Sequence, residues 1–173
     1  MKARSGVLIA IAVVMTGVAM DTPTAAAEPG SGDVVRLYFD DGIPQVEEGE
    51  LRCMNLDSDT TVSAPLCQPN SGSPRQRWEW RVVAAGVVQL KNVATGLCLD
   101  GGGKDSVLYG FSCNADNSNQ RFYYNFTAQG TRLISRDSRY ACKDIIFGDD
   151  KVRVISENRN CFRSGVWEVE AAK

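Results

Sequence analysis

Residues 98–122 read CLDGGGKDSVLYGFSCNADNSNQRF, two cysteines around a glycine run and an aromatic pair, followed by an Asn-Gln pair and a closing aromatic. The same order recurs on either side. Cys53, Cys98 and Cys142 lie 45 and 44 residues apart, Cys67, Cys113 and Cys161 lie 46 and 48 apart, and Trp78, Phe122 and Trp167 lie 44 and 45 apart. Three marker series with one period indicate an internal threefold repeat. Six cysteines permit 15 pairings. The pairing that respects the repeat is Cys53 with Cys67, Cys98 with Cys113, and Cys142 with Cys161, one local loop per unit.

Between these markers the chain is strand-like. The runs at 34–39, 78–83, 87–93, 121–126, 131–135, 151–156 and 166–170 are short, rich in β-branched and aromatic residues, and bounded by Gly, Asn, Asp or Ser. Beyond the first 27 residues no segment keeps a helical apolar period over three turns. The expected fold class is therefore all-β. A sandwich of short strands gives no reason for a period of about 45 residues. Three four-stranded units closing into a barrel with a hairpin cap account for the period and leave no open sheet edge.

The 173-residue chain opens with Lys2 and Arg4, the apolar run Val7–Met20 and the small residues Ala25–Ala27. That layout predicts a secretory signal peptide over 1–27, too short in its apolar part to span a bilayer, and one mature domain over 28–173. The predicted location is extracellular, where an even number of cysteines forms disulfides. The net charge is −2, so bulk charge offers a phosphate backbone nothing and no nucleic-acid partner is expected. There is no histidine. Ser-His-Asp and zinc-histidine mechanisms are thereby excluded, and no metal or cofactor is expected.

Gln76-Arg77-Trp78 and Gln120-Arg121-Phe122, with Cys98-Leu99-Asp100 and Cys142-Lys143-Asp144, resemble the ricin B-chain type lectin family, a β-trefoil whose units end in Gln-x-Trp. The third unit keeps Trp167 but has Gly165 where the glutamine belongs. The resemblance implies a carbohydrate site in each intact unit: an aspartate after the first cysteine, an aromatic two before the second, and an Asn-Gln pair. Unit two supplies Asp100, Phe111, Asn119 and Gln120, with Tyr109 lining the pocket. Phe111 offers a platform for the C–H face of a pyranose. Asp100 and Asn119 offer the acceptors and donors that match adjacent hydroxyls, and Gln120 orients Asp100. On this reading Asp100 and Phe111 both face an open pocket.

Other roles compete for the same residues. Trp78, Phe122 and Trp167, being equally spaced, are expected in the core rather than on a ligand. Asp100 can instead hold the turn before the glycines. Leu108 and Gly110 alternate with Tyr109 and Phe111, which places the two aromatics away from the core. The run at 101–106 is no phosphate loop, because Cys98 stands at the first glycine position and Asp105 follows the lysine. Asp57 and Asp59 belong to no calcium loop and are expected in a solvated turn.

Units one and three depart from the pattern, through Asn55, Pro65 and Arg75 in the first and Arg159, Ser164 and Gly165 in the third, although the third retains Asp144. The expectation is a monomeric, non-enzymatic lectin with one sugar site. The alternatives are a trefoil scaffold that binds protein, such as a protease inhibitor, and the cell-binding subunit of a multi-chain toxin.

Overall fold

The apolar and aromatic runs do become strands, and shorter strands fill the gaps between them. A computed structural model describes residues 28–40, 51–68, 73–102, 108–127, 130–135, 140–145, 152–157 and 166–172. The expected leader over 1–27 and, in the third unit, Arg159, Cys161, Ser164 and Gly165 lie outside them. The strands are β1 (Val34–Asp40), β2 (Leu51–Cys53), β3 (Asn55–Leu56), β4 (Val62–Ser63), β5 (Trp78–Ala84), β6 (Val87–Asn92) and β7 (Cys98–Asp100). They continue with β8 (Tyr109–Phe111), β9 (Phe122–Thr127), β10 (Gly130–Ser135), β11 (Tyr140–Ile145), β12 (Val152–Glu157) and β13 (Val166–Ala171). Short 3₁₀ turns, Pro74–Gln76 and Ser118–Gln120, precede β5 and β9. No α-helix occurs among the described residues, and none there is long and apolar enough to cross a membrane.

All strand pairs are antiparallel and share one network, running β3-β4-β12-β11-β10-β13-β1-β5-β6-β7-β8, with β2 on β1 and β9 on β10 and β6. Its two ends meet. Thr61 bridges Tyr109, the Val62 amide donates to Leu108 O at 2.8 Å, and the Gly110 amide donates to Thr60 O at 2.7 Å. The network therefore closes on itself, which satisfies backbone groups that an open edge would expose.

Closure gathers the inward side chains of β1, β5, β6, β9 and β13 into one core. Trp78, Trp80, Phe122, Trp167, Leu37 and Leu56 are all fully buried in it. The three period-marking aromatics thus meet in the interior, as their equal spacing predicts. The Trp78 indole N–H donates to Met54 O at 3.0 Å, so the polar tip of this large side chain is satisfied where it is buried. Truncating such a residue to alanine costs about 3–5 kcal/mol.

Two of the expected disulfides are formed, Cys53–Cys67 and Cys98–Cys113, with Cα–Cα distances of 4.9 and 5.0 Å. Each loop of about 15 residues contributes roughly 3 kcal/mol in the chain-entropy account. The expected Cys142–Cys161 pair falls partly outside the described residues.

Candidate functional site

The site region begins with a clamp made by a buried glutamine. Gln120, at the end of its 3₁₀ turn, accepts from the Asn114 amide (2.9 Å) and donates to Ser112 O (3.0 Å), the residues on either side of Cys113. Gln76 does the same in unit one, accepting from the Gln68 amide and donating to Leu66 O, both at 2.9 Å, around Cys67. The backbone partners fix which end of each amide is oxygen. Each glutamine thus ties its 3₁₀ turn to the second cysteine of its unit.

Gln120 has further partners. Its Oε1 accepts from Gln89 Nε2 (3.0 Å) on β6, and its Nε2 donates to Asp100 Oδ2 (3.0 Å) on β7. Gln89 in turn accepts from Arg81 Nη1 at 3.2 Å. Arg81, Gln89, Gln120 and Asp100 therefore form a chain in which every donor points toward the carboxylate, an arrangement whose members polarise one another. The expected orienting role of Gln120 has this geometry.

Asp100 itself is 1% exposed. Its Oδ1 accepts from the Gly102 amide (2.8 Å), while Oδ2 accepts from Asn117 Nδ2 (2.9 Å) as well as from Gln120. The expectation of an Asp100 facing an open pocket is therefore corrected. A carboxylate at this depth needs charge-assisted donors, and the fold supplies them internally rather than leaving them to a ligand. The turn-holding role is realised too, since the bond to Gly102 is an Asx turn.

β7 and β8 pair in the register Cys98 with Phe111, Leu99 with Gly110 and Asp100 with Tyr109. Opposed residues share a face, so Asp100, Tyr109 and Phe111 lie on one side and Leu99 and Gly110 on the core side. A Cβ on Gly110 would come within 2.8 Å of Leu56 Cδ2, so any side chain there would require the buried Leu56 to shift. A Cβ on Gly102 would lie 2.2 Å from Tyr109 Cε1, so the Tyr109 ring rests directly on the Gly102 backbone. Burial first, then the charge and hydrogen bond of Asp100, raises the pKa of the Tyr109 phenol.

Phe111 is 55% exposed and meets the edge of Tyr109 with ring centroids 6.2 Å apart. Asn119 is partly buried in the 3₁₀ turn. Its carbonyl accepts from the Gly101 amide at 2.8 Å, and its own amide donates to Asn117 Oδ1 at 3.0 Å. The structure thus brings all five expected residues together in two layers. Asp100 and Gln120 lie beneath, while Tyr109, Phe111 and Asn119 are nearer the surface. Asn117 and Gln89 were not expected. The available signals were a capping asparagine before the 3₁₀ turn and a glutamine inside the apolar run of β6.

The equivalent region of unit one is filled by its own side chains. Arg75 Nη1 donates to Leu56 O (3.0 Å) and Asp57 O (3.1 Å), and Asp57 Oδ1 accepts from Asn55 Nδ2 (2.6 Å) and Ser63 Oγ (2.9 Å). Asp59 Oδ1 accepts from the Thr61 amide (3.0 Å) and Thr61 Oγ1 (2.7 Å), the turn expected there.

Residues 74–151 match the family described as ricin-type beta-trefoil lectin domain-like. No curated protein sequence matches the chain. Among solved structures, the fold is similar to the designed 3-fold symmetric protein ThreeFoil, at a TM-score of 0.58 and 15% identity over 79% of this chain and 96% of that one. It is also similar to a mosquitocidal holotoxin, at 0.63 and 16% identity over 84% of this chain and 18% of that one. A third similar structure is the Polyporus squamosus lectin bound to the human-type influenza-binding epitope Neu5Aca2-6Galb1-4GlcNAc, at 0.59 and 12% identity over 83% and 50%. The chain therefore spans half of the fungal lectin and less than a fifth of the holotoxin.

Proposed function

We propose that this chain, with residues 74–151 matching the ricin-type beta-trefoil lectin domain-like family, is a secreted carbohydrate-binding module that holds its sugar mainly on the second of three trefoil units. In this reading residues 1–27 direct export, 28–173 form one monomeric trefoil, and each unit carries one disulfide, Cys142–Cys161 being the third. The chain acts by binding, without catalysis.

The observation that carries the reading is Phe111, an aromatic ring left more than half exposed above an internally satisfied carboxylate. Large apolar side chains are normally buried, and an exposed ring beside fixed polar groups suits a ligand with one C–H face and a hydroxyl edge. The sugar lies against Phe111, with the Asn119 amide and the Tyr109 hydroxyl at its edge. Asp100 and Gln120 act from beneath by fixing Tyr109 and the 3₁₀ turn. Arg75 fills the corresponding place in unit one.

The test is a glycan and polysaccharide binding screen of residues 28–173, repeated with Phe111→Ala. The expected result is a carbohydrate bound by the wild type and lost in the variant, with an unfolding temperature within about 2 °C of wild type, because the truncated ring is exposed. No binding by the folded wild type, or undiminished binding by the variant, refutes the reading.

A further inference from the structure

Asn117 bonds to both layers of the candidate site. Its Oδ1 accepts from the Asn119 amide at 3.0 Å, capping the 3₁₀ turn Ser118–Gln120, and its Nδ2 donates to Asp100 Oδ2 at 2.9 Å. The amide cannot be reversed. Its oxygen would then face a carboxylate and its NH₂ an N–H donor, and both contacts repel. Asn117 thereby joins the backbone that carries Asn119 to the carboxylate beside Tyr109, alongside the Gln120–Asp100 bond and the bond from the Gly101 amide to Asn119 O.

Unit one supplies a natural comparison. Ser73 stands 44 residues earlier, the same interval that separates Gln76 from Gln120. It caps its own 3₁₀ turn, with Oγ accepting from the Arg75 amide at 3.3 Å. Asn55, the counterpart of Asp100, turns instead to Asp57 Oδ1 at 2.6 Å. Capping is thus common to the two units. The tie from the cap to a carboxylate belongs to unit two, the unit with the exposed aromatic platform.

We propose that Asn117 is a positioning residue of the carbohydrate site, one that acts through Asp100 and Asn119 by holding carboxylate, Tyr109 and 3₁₀ turn in one arrangement. The proposal rests on the carbohydrate reading above. A ligand contact placed about 1 Å wrong loses most of its value, so the tie matters for recognition as well as for folding.

Two variants separate the tie from the cap. Asn117→Ser keeps a good capping oxygen, as in unit one, but is too short to reach Asp100. Asn117→Ala removes both. The expected result is that both weaken binding of the carbohydrate identified in the screen, by about tenfold, the equivalent of one hydrogen bond. Both variants lower the unfolding temperature through the lost bond to Asp100, and the alanine variant lowers it by a further 2–4 °C or so, the effect of a lost cap. A residue with only a structural role would leave carbohydrate binding by the folded serine variant at the wild-type level.

A second readout needs no sugar. The Tyr109 phenol faces Asp100, so its titration, assigned by comparison with Tyr109→Phe, reports the carboxylate's placement. The serine variant should displace that curve from the wild-type one. Wild-type binding by Asn117→Ser, or a superimposable Tyr109 titration, overturns the proposal. If the wild type binds no carbohydrate, the functional reading falls by itself, and an unchanged Tyr109 curve then still decides against Asn117.

Discussion

Replacing Asp100 by alanine should destabilise this fold severely, and the size of the effect follows from the groups it would orphan. The side chain accepts from Gly102 N at 2.8 Å, Asn117 Nδ2 at 2.9 Å and Gln120 Nε2 at 3.0 Å while 1% exposed. Each such bond to a charged group contributes about 1.5–3 kcal/mol. The losses are not additive, because Gln120 keeps its bond to Ser112 O and Asn117 lies close enough to the surface to meet water. Relief of the buried charge offsets a further part. The net expectation is about 3–5 kcal/mol, or a fall of roughly 6–20 °C in Tm for a chain of this size. Asp100→Asn keeps one oxygen but turns an NH₂ group toward a donor whichever way it sits, so it should cost about half as much. Urea unfolding of residues 28–173 with disulfides intact measures both. If Asp100→Ala unfolds within about 1 kcal/mol of wild type, Asp100 is not the buried hub described here.

The other predictions concern the clamps, alkaline pH and valency. Gln120→Leu should destabilise more than Gln76→Leu, by about 1–2 kcal/mol in urea unfolding, because it also breaks bonds to Gln89 and Asp100; equal losses would mean that those two bonds contribute nothing. Burial and a hydrogen bond to Glu168 push the Tyr38 phenol up to about 12, so the folded chain holds that proton more tightly than the unfolded one. Stability is then fully present below about pH 10 and falls as pH rises toward about 12, and Tyr38→Phe should flatten that fall in unfolding curves measured from pH 9 to 12. With Arg75 filling unit one, titration calorimetry should give one sugar per chain, at a Kd near the millimolar range set by one shallow aromatic contact; two or three equivalent sites would show that the departures in the other units do not prevent binding.

Much of the fold is legible in the sequence, for a physical reason. The seven β-branched and aromatic runs coincide with β1, β5, β6, β9, β10, β12 and β13 to within a residue at each end, because long strands buried on one face must carry that pattern. The six other strands escape it. β3 and β4 have two residues each, and β2, β7 and β8 have three, too few for alternation to show. β11, Tyr140–Ile145, mixes Lys143 and Asp144 among its apolar residues. Such strands exist because closure of the network satisfies their backbone groups, and closure is a property of the whole chain.

The site is legible as a set of residues but not as a set of depths. Pairing of β7 with β8 brings Asp100, Tyr109 and Phe111 to one face, and the bonds from Gln120 to Asp100 and from the Gly101 amide to Asn119 O bring the 3₁₀ turn beside them. What spacing cannot state is which of them meets solvent. Asp100 looks like a surface acceptor as long as its partners are unknown, and becomes a buried anchor once Gly102, Asn117 and Gln120 are seen to fill its acceptor positions. The same glutamine clamp occurs in unit one, where its glutamine bonds no aspartate, so the clamp belongs to the fold and does not depend on a ligand. What distinguishes unit two is the set of groups gathered around that clamp. These are a carboxylate in place of Asn55, an aromatic in place of Pro65, an asparagine in place of Arg75, and Asn117 in place of Ser73 to tie them together. All four positions differ between the two units while the clamp and the disulfide are present in both, so the scaffold does not depend on the groups that distinguish unit two.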